Sequence, residues 1–254
     1  MKYGAIIEAR MTSSRLPGKV VYKVNGRTMI EHLVRRLKKV KKIDKIVLAT
    51  TKNKTDLILV NLAKKLNIHV FRGSENNVLQ RVVGAVKKYK IQNVINITSD
   101  CPILDVKILK HMIKQFEISN CDVVSNQFIR SYPDGMDATI SKRKCLIEAN
   151  LKAKLKKYFE HTTMYLKDNN HKFKVKNIVA RKLYWPQLGL TLDEYKDFIL
   201  IKKLITYFEK KNNYFFSCWD MINLLRNDRK NWLRINNSVK RKGYDKNLLQ
   251  KKLS

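Results

Sequence analysis

At 254 residues and 44 % hydrophobic content, the chain can form one large α/β domain or two small ones with a proper core. Eight glycines and four prolines leave little material for long linkers, and no apolar run is long enough to span a bilayer. The formal net charge is +33, yet the cations are spread over nearly every segment, often as Lys-Lys pairs, without the clustered stripe and aromatic platforms of a nucleic-acid binder. Most of this charge reads as a lysine-biased solvated surface that also attracts anions. A cytoplasmic location is expected, because the N-terminus starts directly with a strand pattern and lacks a signal-peptide core. The four cysteines are isolated and without zinc spacing, and the five histidines are scattered, which fits free thiols in a reducing compartment.

Taken in order, Tyr3 to Ile7 is a short apolar run that predicts a buried first strand. A polar loop follows, then an amphipathic helix over Thr28 to Lys39. Strands are predicted at Ile46–Thr50, Ile68–Phe71, Val94–Thr98 and Asp122–Val124, with helices at Thr55–Leu66, Val78–Tyr89 and Val106–Phe116. This alternation argues for a mostly parallel central sheet with helices on both faces. After Asn126 the order breaks: a loop plus strand over Arg130–Thr139, a largely helical Lys142–Tyr165, and a strand around Phe173–Val179. A helix over Glu194–Lys210 and a shorter one at Trp219–Leu225 close the pattern. One domain over residues 1–226 is the simpler organisation, with an insertion near 127–188 over the second substrate and a basic tail over 227–254.

The loop after the first strand carries three cations, Arg10, Arg15 and Lys19, among Thr12, Ser13, Ser14 and Gly18. Hydroxyls and backbone N–H groups in such a loop cradle phosphate oxygens, and the cations neutralise them. The Walker pattern fails, because Val20 follows Gly18-Lys19 and no glycine precedes at the required spacing; the dinucleotide fingerprint lacks its glycines. Asp100, in Thr98-Ser99-Asp100-Cys101-Pro102, ends a strand and has two readings, a Mg²⁺ ligand facing phosphate or a helix N-cap. Asp105, just ahead of the next helix, is better placed to cap.

The run Ala9-Arg10-Met11-Thr12-Ser13-Ser14-Arg15-Leu16-Pro17-Gly18-Lys19 resembles the Ala-Arg-x-x-Ser-x-Arg-Leu-Pro-Gly-Lys loop of the cytidylyltransferases, which make CMP-linked sugar acids and include a spore coat polysaccharide branch. The resemblance implies a glycosyltransferase-A-like nucleotidyltransferase fold of the α/β class. It assigns Ala9, Arg10, Ser14, Arg15 and Lys19 to the nucleotide, with Arg10, Arg15, Lys19 and Asp100 as catalytic groups. The segment at Asp100 is similar to the family's Gly-Asp-x-Pro metal motif, with Ser99 in place of glycine. Asp193, in Asp193-Glu194-Tyr195-Lys196-Asp197, matches the first carboxylate of the family's Asp-x-x-x-Asp and would complete a Mg²⁺ site with Asp100; its other reading is the start of the following helix. Arg72-Gly73-Ser74 and Arg81 are similar to the family's nucleotide-facing Arg-Gly-Ser and helical Arg, an ordinary strand-to-helix turn being the other reading.

Tyr132-Pro133-Asp134-Gly135-Met136-Asp137 resembles the family's acceptor segment and is also a turn signal in its own right. The resemblance gives Tyr132, Asp134, Gly135 and Asp137 to the acceptor. Glu160-His161 matches the spore coat branch, so His161 either binds or deprotonates the acceptor or packs as a helical histidine. Three positions depart from the pattern: Glu8 where the family has Gln or a small residue near the base, Thr139 where the branch has Glu, and Gly189 where it has Arg. The expected chemistry is transfer of CMP from CTP to a sugar, sugar acid or polyol with Mg²⁺ as cofactor, for surface polysaccharide synthesis. Partners are CTP and a sugar-type acceptor, with neither membrane nor nucleic acid expected and a homodimer compatible. The same chemistry with another nucleotide, a glycosyltransferase (which would want an Asp-x-Asp absent here) and a non-catalytic nucleic-acid-binding protein stay open as rivals.

Overall fold

The first apolar run becomes β1 (Tyr3–Glu8) at the interior of the sheet, because its side chains are buried on both faces: Tyr3, Ala5 and Ile7 enter one core and Ile6 the other. The computed structural model describes residues 3–236. Beside β1 lie β4 (Ile43–Thr51) and β6 (Asn93–Thr98), both parallel to it, and β5 (His69–Gly73) pairs parallel with the far side of β4. The full order is β5-β4-β1-β6-β8-β7-β9, with β7 at Val123–Ser125, β8 at Thr139–Lys142 and β9 at Val175–Asn177. Here the sheet is mixed: β8 runs antiparallel to both β6 and β7, and β9 is parallel to β7. The predicted strand after Arg130 therefore starts later and runs in reverse. A separate hairpin, β2 (Lys23–Val24) and β3 (Arg27–Thr28), turns on Asn25 and Gly26, both with positive φ, as a two-residue Asn-Gly turn requires.

Helices cover both faces. α1 (Met29–Leu37), α2 (Leu57–Lys65), α4 (Val106–Ser119), α8 (Tyr195–Lys210) and α9 (Cys218–Asn223) pack on one core. α3 (Val78–Lys88), α5 (Arg143–Lys152) and α7 (Met164–Asp168) pack on the other. The helical run expected over Lys142–Tyr165 is broken into α5, α6 (Lys156–Glu160) and α7. A continuous helix would stack Lys152 on Lys156 one turn apart, a like-charge pair that disfavours it. The breaks matter, because they turn His161 and Thr162 toward the site. Residues 227–236, read from sequence as the start of a tail, include a 3₁₀ turn, Lys230–Arg234, with Trp232 and Leu233 packed against the main core. Residues 237–254 lie outside the described residues. No helix among the described residues is long and apolar enough to cross a membrane.

The chain leaves β1 toward β4 and β5 on one side, then returns to β6 on the other. The topological switch point thus falls between β1 and β6, where ligands of open α/β sheets bind. One buried residue secures the loop there. Asp56 accepts hydrogen bonds from the Thr50 and Thr51 hydroxyls, the Thr51 amide and the Met11 amide, tying the end of β4 to the opening loop. Burial alone would raise its pKa, but the bonds from Thr51, Met11 and Thr50 outweigh burial and hold it below the ordinary carboxylate value. Asp56→Ala is expected to cost on the order of 2 kcal/mol, because it strands several buried donors, and so to lower Tm by roughly 5 °C. In the parent protein this contribution should be present at neutral pH and lost only as the pH falls below 3.8 and through the depressed folded pKa, read by acid denaturation of parent against variant.

Candidate active site

The opening loop runs from the end of β1 across the switch point. Gly18, at φ +68°, takes the left-handed conformation that reverses the chain, and its amide donates to the Met11 carbonyl at 2.9 Å. The reversal directs Lys19, only 9 % exposed, into a cleft of about 800 Å³. Its Nζ lies 3.0 Å from Asp193 Oδ1 and 3.7 Å from Asp100 Oδ2. Arg15 reaches the same Asp193 oxygen at 2.7 Å. A backbone bond fixes this convergence: the Leu192 amide donates to the Asp100 carbonyl at 2.8 Å.

The two readings of these carboxylates separate cleanly. Asp105, not Asp100, caps α4, accepting from the Lys107 amide. At α8 the capping groups are Glu194 and Asp197; Asp197 Oδ2 accepts from the Asp193 and Glu194 amides and Oδ1 from Asn236. Asp193 itself is left to face the loop cations.

Ala9, Arg10, Ser13, Ser14, Arg15 and Lys19 line the cleft together with Asp100, Asp193 and Arg81. Arg10 pairs with Glu75 at 3.4 Å, and Glu75 also accepts from Thr12 and Asn53, so burial counts less than these bonds in holding its carboxyl below the usual range. Arg81 is buried, which lowers its pKa; it donates to the Ser74 carbonyl, while its Nε has no hydrogen-bond partner among the described residues. Gly73 is needed for this course, since a Cβ there would stand 2.9 Å from Arg81 Cγ. Arg72 and Ser74 are placed differently from the cleft residues. Arg72 is spent on the carbonyls of Thr51, Lys52 and Asn53, and the Ser74 hydroxyl accepts from the Asn77 amide. Both brace the turn.

A second cavity of about 280 Å³ adjoins the cleft and shares Glu8, Thr98, Glu160 and His161 with it. Arg130, Asn96, Thr162 and Lys167 are among its other walls. The acceptor turn lies behind it: Tyr132 is a core residue, and Tyr132, Asp134, Gly135 and Asp137 line neither space. Gly135, at φ +94°, lies so close to Leu190 that a Cβ would meet its carbonyl oxygen at 2.6 Å. The turn instead orients Arg130, which bridges Asp134 at 3.3 Å and Asp137 at 3.9 Å. Burial, helped by the Asp100 charge and opposed by Arg130, pushes Asp137 up to about 6. Sequence reasoning missed Asp56, Glu75, Asn96 and Arg130. For Arg130 the signal was its position just before the Pro-Asp-Gly turn; the other three carry none.

Three loop cations and two converging carboxylates at a switch-point cleft, on this mixed, mostly parallel sheet, go with a nucleotidyltransferase fold. The cytidylyltransferase family model matches residues 4–235, and the chain belongs to that family. It is 36 % identical over 213 residues to the uncharacterized protein MJ1063 of Methanocaldococcus jannaschii, covering 84 % of this chain and 86 % of that one. It is 33 % identical over 205 residues to the spore coat polysaccharide biosynthesis protein SpsF of Bacillus subtilis, covering 78 % and 84 %. The structure of a cytidylyltransferase from Leptospira borgpetersenii superposes with a TM-score of 0.86 at 32 % identity, covering 96 % of this chain and all of that one.

The cleft predicts a simple anion response. Inorganic pyrophosphate should raise Tm by mass action. Arg15→Ala should shrink that rise clearly, whereas Lys39→Ala, whose ammonium sits over Phe215 away from the cleft, should leave it unchanged. Equal responses in a thermal-shift titration would count against a localised phosphate site.

Proposed function

We propose that this chain transfers CMP from CTP to a hydroxyl of a sugar-type acceptor and releases pyrophosphate, in the service of surface polysaccharide synthesis. The observation that carries the reading is the convergence of Arg15, Lys19, Asp100 and Asp193 at the mouth of a cleft that opens into a second cavity. Family membership supports cytidine as the base, and the SpsF relative supports the polysaccharide setting.

The triphosphate lies along the opening loop, with Arg10, Arg15 and Lys19 balancing charge that grows on the leaving pyrophosphate. The acceptor occupies the second cavity, and its hydroxyl attacks the α-phosphorus in line. Arg130 and Lys167 give that cavity cations for an acidic acceptor, with the His161 ring beside them. Asp100 and Asp193 would hold Mg²⁺. Both place an oxygen on one ammonium, and two hard anionic oxygens beside a phosphate loop suit that ion. When bound, Mg²⁺ supplies charge neutralisation and polarisation of the phosphates. No covalent enzyme intermediate is required.

CTP with Mg²⁺ should raise Tm more than ATP, GTP or UTP; equal shifts would remove the cytidylyl assignment and leave only phosphate binding. Asp100→Asn and Asp193→Asn should fold normally and lose most pyrophosphate release, since neither carboxylate caps a helix and an amide is a poor Mg²⁺ ligand. The double variant should be little worse than either single, as for groups acting as a unit. Full turnover by Asp100→Asn at unchanged Mg²⁺ dependence would sink the metal assignment.

A further inference from the structure

The transfer chemistry needs a group to take the proton of the attacking hydroxyl. Glu8 ends β1 at the switch point, in register with Thr98 of β6, and borders both the cleft and the second cavity. Its two side-chain hydrogen bonds come from Thr162 Oγ1 at 2.7 Å and Asn96 Nδ2 at 3.4 Å, and both fall on Oε1. Among the described residues, no donor reaches Oε2. Asn96 Oδ1 and Arg81 Nε are buried beside it with no hydrogen-bond partner among the described residues. A carboxylate clamped through one oxygen and bare at the other is an oriented proton acceptor. His161 also borders both spaces, but it is exposed, and no side-chain hydrogen bond fixes its ring among the described residues.

We propose that Glu8 is the general base of the transfer, its Oε2 taking the proton from the acceptor hydroxyl held in the second cavity. This rests on the cytidylyl-transfer reading above. The O–H bond breaks onto Oε2, and the acceptor oxygen uses the freed electron pair to bond the α-phosphorus. The bond from that phosphorus to its bridging oxygen breaks, its pair leaving on pyrophosphate. Glu8 then passes the proton to water. The charged and titratable groups around it are Arg81 from α3, Arg10 from the opening loop, Asp100 beyond β6, and Glu160 and His161 from the α6 segment; Arg130 and Lys167 also line the second cavity. Burial raises the Glu8 pKa and Asp100 adds to it, while Thr162, Arg81 and Asn96 pull the other way without cancelling the rise. A raised pKa makes the carboxylate a better proton acceptor.

The test uses the full chain with CTP, Mg²⁺ and the fastest acceptor from a panel of sugar acids, hexose derivatives and polyol phosphates, with pyrophosphate detection. Glu8→Gln should keep the parent's CTP thermal shift and acceptor KM but lose kcat by about 100-fold or more. The parent's kcat should rise with pH through an acid limb that is missing in Glu8→Gln and kept, displaced, in Glu8→Asp. An unchanged kcat with a raised acceptor KM would make Glu8 a binding group and overturn the proposal. So would loss of the preference for CTP, or an acid limb that survives Glu8→Gln and vanishes in His161→Asn. No pyrophosphate from the parent with any acceptor would overturn the transfer reading, and the Glu8 role with it.

Discussion

An ammonium group that is nearly out of water must be paired, and Lys19 meets that demand with two carboxylates from distant parts of the chain. Asp100 arrives on the loop after β6 and Asp193 on the segment before α8. The backbone bond from Leu192 to Asp100 holds those two segments edge to edge. That backbone bond and the ion pairs beside it bring the opening loop, the β6 loop and the start of α8 to one place. The site is therefore also a junction of the fold, and the family's loop sequence acts as mortar as well as chemistry.

The supporting residues make the same point at one remove. Asp56 fastens the loop from below, and Asp197 terminates α8 so that Asp193 need not. Such division of labour leaves the carboxylates that face the cleft unencumbered by capping. It also explains why acids sit in so basic a protein at this spot, where they offset cations that would otherwise repel one another.

Much of this was legible in the sequence. The parallel strands show as apolar runs buried on both sides, and the helices between them show helical periodicity, so β1, β4, β5, β6 and their connections follow from pattern. The loop from Ala9 to Lys19 is local in sequence, and its cations stand together in the cleft as a local motif would place them. The direction of β8 was not legible, because side-chain alternation is identical in parallel and antiparallel strands. That Asp193 would be left out of the cap of α8 was also closed to sequence, since it sits at the helix start and Asn236, which holds the capping Asp197 in place, is 39 residues from Asp197. Asp56 reads as an ordinary polar residue in the first turn of a helix until the fold brings Met11 to it. The Asn25-Gly26 hairpin is the reverse case: its turn chemistry was in plain view between a loop and a helix.

The ion pairs around the opening loop have a consequence for how an anion is captured. Arg10 is already answered by Glu75, and Arg15 and Lys19 by Asp193 and Asp100. The mouth of the cleft is thus close to neutral within a protein of net charge +33. On the proposed reading a triphosphate would not fall into a positive hole; it would be drawn in by the surrounding lysine field and then exchange places with carboxylates at close range. The first stage acts over many ångströms and fades with added salt, while the second acts at contact distance and is screened far less. Ionic strength should accordingly slow arrival far more than it hastens departure, which makes the lysine excess a matter of encounter and the acidic residues a matter of residence.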